Sequence, residues 1–296
     1  MRILCLHGQG ASASIFQSQT AAFRAKLDET YLFEFVDAPF PCPPAPGINA
    51  IFDSGHYAWY PKQAVPFILG AHRWLLEYIE DHGPYDAVCC FSQGCAVVLS
   101  LLLYHAKDEH DAQKSASAAD IAATGTSDAQ PPPPPPLPFR AAIFICGGVP
   151  FPALEDLGIN IPRRAHEIND RTGKLLREKA GDLARMASHP DQIRRGVGLW
   201  DDTDGLLHNP AVLPDPKDVF GLDFTSFPPA LRVQIPTVHI YGAKDPRWPS
   251  SMQLAYFCDD RKMYDHGGGH DIPRSTKVSN AIADLIRGLD QAIACM

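Results

Sequence analysis

Residues 85–104 read YDAVCCFSQGCAVVLSLLLY, and the role given to Ser92 in this stretch decides the fold. Tyr85 to Phe91 is a short, β-prone apolar run after the Gly83-Pro84 break, and Ala96 to Tyr104 is an apolar run suited to a buried helix. Ser92, Gln93 and Gly94 lie between them. A serine on a sharp strand-to-helix turn has its hydroxyl pushed clear of both elements, above a helix N-terminus that stabilises negative charge. A nucleophilic serine needs this setting. The pattern G-x-S-x-G places small residues on both sides because strand and helix approach closely while the serine holds a strained backbone. Here the run is Cys90-Phe91-Ser92-Gln93-Gly94, with the first glycine replaced. Taken alone, an ordinary N-cap serine accounts for the turn as well.

Upstream, Arg2 to Leu6 is a strand running into His7-Gly8-Gln9-Gly10, and Ser14 to Lys26 has helical spacing. An H-G-x-G turn after an early strand offers a backbone N–H to an oxyanion, with Gln9 as the donor. Tyr31 to Val36 is a second strand. The Pro, Gly and aromatic loop Ala38 to Tyr60 follows, in which Phe52, Tyr57, Trp59 and Tyr60 either wall an acyl pocket or pack the loop on the core. Pro66 to Glu80 reads as an amphipathic helix. Downstream, residues 106–138 are charged, Ala/Ser-rich and then proline-rich, which predicts a disordered or poorly ordered insertion. Phe139 to Cys146, Pro236 to Tyr241 and Lys262 to Tyr264 are further strands. Residues 151–234 between them form a cap-like insertion containing a helix over Arg163 to Ser188. Helices over Pro249 to Phe257 and Ser275 to Ala292 complete an alternation that predicts one α/β domain over 1–296, a mostly parallel sheet flanked by helices.

A serine hydroxyl needs a neighbouring base, and the base an acid that fixes its tautomer. Asp245, just past one late strand, and His270, in a glycine-rich loop past the next, follow Ser92 in the chain order Ser, Asp, His of α/β-hydrolases. All three then lie at the C-terminal edge of a parallel sheet, where such folds bind ligands. The 296-residue chain is 45% hydrophobic with a net charge of -8, which argues against a generic nucleic-acid binder. The start MRILCLHGQG is too short an apolar run for a signal peptide or membrane span, and a cytoplasmic protein is expected. Eight cysteines without C-x-x-C pairs predict reduced, mostly buried thiols, and no close-spaced cluster predicts a metal.

The stretches ILCLHGQGASASIF, YAWY, GPYDAVCCFSQGCAVVLSLL, AAIFICGGVPF, IPTVHIYGAKDPRWP and DHGGGHDIPR make the chain resemble the fungal family of serine hydrolases, whose animal relatives include an ovarian-cancer-associated serine hydrolase. The resemblance implies an α/β-hydrolase with Ser92 as nucleophile, Asp245 as acid, His270 as base, and the N–H groups of Gln9 and Gln93 as oxyanion hole. It implies no cofactor. Cys90 and Cys95 depart from the family's glycine and alanine. The implied activity is cleavage of a thioester or ester of a hydrophobic acyl group, including release of polyketide-type chains from an acyl carrier protein in secondary metabolism. For the carrier, the segment 162–195, with nine Lys/Arg against five Asp/Glu, offers a positive docking face. A general carboxylesterase on small-molecule esters and a catalytically silent binding module are the alternatives.

Overall fold

The computed structural model describes residues 1–48, 52–121, 134–188, 200–209 and 211–296. Its elements run β1 (Arg2–Leu6), α1 (Ala13–Arg24), β2 (Leu32–Val36), β3 (Phe40–Pro41), β4 (Tyr57–Ala58), α2 (Val65–His82), β5 (Ala87–Phe91) and α3 (Gln93–Ile121). They continue through β6 (Ala141–Ile145), α4 (Phe151–Asp156), α5 (Arg163–Ser188), β7 (Thr237–Tyr241), α6 (Trp248–Tyr256), β8 (Arg261–Asp265) and α7 (Thr276–Ala294). Six strands form one sheet in the order β2-β1-β5-β6-β7-β8, every pair parallel. β3 and β4 form a separate antiparallel pair inside the long aromatic loop.

Successive strand residues point to opposite faces, and the core divides accordingly. Leu4, Leu6, Val88, Cys90, Ala142 and Phe144 pack on one face with Ile68 and Leu75 of α2 and Val97 of α3. Ile3, Cys5, Cys89, Ile143 and Ile145 pack on the other with Phe16 and Phe23 of α1 and Ile282 and Ile286 of α7. Both faces of a parallel sheet are therefore covered, which is why β5, β6 and β7 read as near-continuous apolar runs. No helix among the described residues is long and apolar enough to cross a membrane. All eight cysteines are free thiols, and Cys5, Cys89, Cys90, Cys95, Cys146 and Cys258 are buried.

Of the stretch 106–138 expected to form an insertion, residues 106–121 extend α3, because Ala, Lys, Glu and Gln are strong helix formers whatever their sequence complexity. Lys107 pairs with Asp111 one turn on. The rest of that expectation falls largely on residues 122–133, outside the described residues.

Two histidines are buried away from any catalytic role. His72 donates from Nε2 to Ser100 Oγ at 2.7 Å, and burial holds its pKa down to about 4. His239 donates to Thr237 Oγ1 at 3.0 Å, stacks on Phe144, and is held to about 3 by burial and by Arg261. The unfolded chain protonates both near 6.5, so below that pH it binds more protons than the native protein and stability falls on acidification. Urea unfolding between pH 7 and 5 should show a loss approaching about 1.4 kcal/mol per pH unit for each histidine. A stability independent of pH over that window would contradict the burial argument.

Candidate active site

β5 ends at Phe91 and α3 begins at Gln93, so Ser92 alone makes the turn, with a left-handed φ of 50°. Such a backbone in a non-glycine residue costs of order 1–3 kcal/mol and persists only where its surroundings enforce it. The Ser92 N–H donates to Ile145 O at 3.1 Å, and the Ser92 carbonyl accepts from the Cys95 N–H at 3.1 Å. Gly94 lets α3 sit against β1: a Cβ there would lie 2.6 Å from Leu6 O and 3.0 Å from His7 O. Gly94→Ala is expected to destabilise the fold by about 1–3 kcal/mol. It should also lower kcat by displacing Ser92, read as a lower Tm together with slower turnover. The two unusual thiols fit without a clash. Cys90 is fully buried in the core, and Cys95 Sγ lies 3.2 Å from Cys90 O and 3.4 Å from Ile145 O.

Ser92 Oγ lies 3.0 Å from His270 Nε2, and His270 Nδ1 lies 2.8 Å from Asp245 Oδ2. Asp245 is fully buried, and its other oxygen accepts the Arg247 N–H at 2.7 Å. A carboxylate so placed holds the proton on Nδ1, leaving the Nε2 lone pair for the serine proton. The three residues follow β5, β7 and β8, and they meet because the sheet is parallel and in register. The loops of Asp245 and His270 touch at Gly242, where a Cβ would stand 2.2 Å from Gly268 O. Trp200, from the segment between β6 and β7, covers the same loop so closely that a Cβ on Gly269 would overlap its indole. Phe91 packs on the His270 ring at 5.2 Å.

Gln9 and Gln93 line the same cavity as Ser92 and His270. Neither backbone N–H is used in a hydrogen bond among the described residues, so both can serve an oxyanion. The support beneath Gln9 was not legible as function in the sequence. His7 is buried, donates from Nδ1 to Gly8 O at 2.7 Å, and accepts the Ala38 N–H on Nε2 at 3.1 Å. Burial lowers its pKa, which keeps this tautomer neutral.

Tyr57, Trp59 and Tyr60 divide between two tasks. Tyr60 lines the cavity. Tyr57 exchanges backbone hydrogen bonds with Gly10 and Ala11 of the oxyanion loop, and Trp59 is fully buried with its indole N–H on His7 O at 2.7 Å. Tyr57 and Trp59 are thus clamps on the oxyanion loop, not cavity walls. Gln93 completes the clamp: its side chain accepts the Trp59 N–H at 2.9 Å and donates to Tyr60 O at 3.2 Å. Trp59→Phe leaves the buried His7 carbonyl without its donor, and a loss of about 1–3 kcal/mol in unfolding free energy is expected by urea titration.

The cavity has a volume of about 210 Å³. Its lining includes Lys62, Gln63 and Arg247 alongside Tyr60, Val149 and Leu176, so it is more polar than the aromatic loop and cap led one to expect. Cys146, at the end of β6, brings a thiol within 4.8 Å of ligand atoms of Asp245 and His270. Those two are already bonded to each other, and burial together with Asp245 pushes the thiol well above its usual range, disfavouring the thiolate that a metal would need.

"Esterase FPY3" of Fusarium mangiferae is 28% identical over 298 residues, covering 99% of this chain and 97% of that protein. "Esterase alnB" of Emericella nidulans is 31% identical over 290 residues, covering 93% and 91%. Among solved structures, SOBER1 of Arabidopsis thaliana aligns over 98% of each chain at 16% identity with a TM-score of 0.44. The model of the family described as "Serine hydrolase (FSH1)" matches residues 1–282, a span that includes His7 to Gly10, Ser92, Asp245 and His270. With serine, histidine and aspartate in hydrogen-bonded series on a parallel sheet, the chain belongs to this serine hydrolase family and has its α/β-hydrolase fold.

Proposed function

We propose that the protein hydrolyses an acyl ester or thioester through an acyl-enzyme on Ser92. The observation that carries this is the unbroken series from Ser92 Oγ through His270 to buried Asp245. Ser92 Oγ attacks the acyl carbonyl while its proton passes to His270 Nε2. The oxygen that becomes negative is met by the N–H groups of Gln9 and Gln93. Collapse expels the alkoxide or thiolate, which takes the proton from His270. Water then gives a proton to His270, attacks the acyl-enzyme, and frees the acid as Ser92 regains its proton.

A polyketide-type chain is the acyl group that the family resemblance implies, and fungal relatives named as esterases support the cleavage of an ester. A carrier-protein donor has less support. Asp218 and Asp202, both outside 162–195, pair with Arg164 and Lys179 of α5 and offset part of the segment's surplus of Lys/Arg. A small-molecule ester or thioester fits this surface better.

The test is an active-site fluorophosphonate followed by burst kinetics on matched oxygen esters and thioesters. Labelling at Ser92 and a burst equal to the enzyme concentration are expected. A protein that binds acyl ligands yet is neither labelled nor active would be the silent binding module.

A further inference from the structure

Arg247 sits two residues beyond the catalytic acid and lines the cavity that holds Ser92 and His270. Its guanidinium is fixed by α5: Nη1 donates to Asn169 O at 2.8 Å and Thr172 Oγ1 at 2.9 Å, and Nη2 donates to Asn169 Oδ1 at 2.9 Å. A guanidinium has five N–H donors. Three are committed, and Nε–H with the second Nη2–H makes no hydrogen bond among the described residues. Those two form the edge that takes a carboxylate or phosphate through parallel hydrogen bonds.

Arg247 also makes no ion pair among the described residues. The neighbouring carboxylate, Asp245, has one oxygen on His270 and the other on the Arg247 backbone N–H. Further positive charge gathers nearby. Lys62 lines the cavity, and Nη1 of Arg177 and Nη1 of Arg247 each lie 3.6 Å from where a Cβ on Gly173 would stand. Neither Lys62 nor Arg177 has an ion-pair partner among the described residues. Burial lowers the pKa of Arg247, so an anion in the cavity relieves a desolvated charge. Lys62 and Arg247 line this recess with Arg177 close to Arg247, so the cations outnumber Asp245 and Asp170, the carboxylates that act on Arg247, and bias the field at the ligand positive.

We propose that Arg247 is an anion-recognition residue, its Nε–H and second Nη2–H binding a carboxylate or phosphate carried by the substrate. This rests on the reading of the cavity as an acyl-hydrolase site and specifies the substrate class as anionic acyl esters or thioesters. Lys62 and Arg177 supply the surrounding field. A purely hydrophobic acyl chain would leave the arginine edge unmatched.

The test compares kcat/KM on two matched pairs. One pair is p-nitrophenyl hexanoate and the p-nitrophenyl monoester of adipate; the other is the hexanoyl thioesters of pantetheine and of pantetheine 4′-phosphate. At least one anionic member should exceed its neutral match by about tenfold or more. Arg247→Gln should bring that ratio to within about threefold of unity, and Arg247→Lys should restore part of it. A response in the adipate arm places the anion on the acyl chain; a response in the phosphate arm places it on the leaving group. Ratios near unity in the wild type would overturn the proposal. So would a ratio that survives Arg247→Gln while only Tm falls, which would leave Arg247 as a tie between α5 and the β7–α6 loop.

Failure of the underlying reading shows separately, as absence of Ser92-dependent turnover on all four substrates. Calorimetric titration of the Ser92→Ala protein with each of the two anionic substrates needs no turnover. Binding of either that disappears on adding Arg247→Gln supports the anion site, and absence of binding by both overturns it.

Discussion

Ser92→Ala is expected to lower kcat by about 10⁵–10⁶ on any ester the protein turns over, with far-ultraviolet circular dichroism unchanged. The loss is large because the variant removes the one group that can form the acyl bond, while Gln9, Gln93 and His270 retain their places. The fold has little reason to respond. The turn at residue 92 is held by backbone bonds to Ile145 and Cys95 and by the close seat of Gly94, none of which uses the hydroxyl. The measurement is single-turnover hydrolysis of a p-nitrophenyl ester by purified wild type and variant. Undiminished turnover would remove the covalent mechanism and the assignment of every other residue with it.

The second large effect is expected from Asp245→Asn, a fall of about 10⁴ in kcat near neutral pH. The side chain is fully buried and bonds to His270 Nδ1 at 2.8 Å and to the Arg247 N–H at 2.7 Å. An amide can satisfy the backbone N–H with its oxygen only by turning its NH₂ toward the ring. The NH₂ then donates to Nδ1, the imidazole proton moves to Nε2, and the lone pair that should receive the serine proton is gone. The imidazolium formed in the reaction also loses its counter-charge. Stability should change much less than rate. An activity loss below tenfold would show that His270 is oriented by other contacts.

The sequence carried the scaffold well because its signals there are local. A strand buried on both faces must be apolar along its length, and the glycine turns at its ends follow from close approach; β1, β5, β6 and β7 were legible for that reason. The meeting of Ser92, Asp245 and His270 was legible too, since chain order and strand ends place them on one edge. Contacts between distant segments were not legible. Aromatic composition alone cannot say that Trp59 turns its N–H to His7 while Tyr60 faces the cavity. The cationic count over 162–195 likewise could not show which of those charges find partners, one of them, Asp218, well along the chain. Arg247 was passed over because its meaning depends on Asn169 and Thr172, which belong to another element. The β3–β4 pair inside the aromatic loop is too short for any periodic signal.

The elbow is closed around sulfur, and this makes the protein its own opening sensor. Cys90 and Cys95 are buried directly beside Ser92, whereas Cys42 is half-buried and Cys295 exposed. A thiol reagent added to the folded protein should modify Cys295 and Cys42 in a fast phase. It should reach the elbow pair only when α3 parts from β1. The slow phase at those two positions therefore counts excursions of the nucleophile's own support, a clock for inactivation that runs without substrate. Ligands that brace the cavity should slow that clock, and a destabilising change such as Gly94→Ala should speed it.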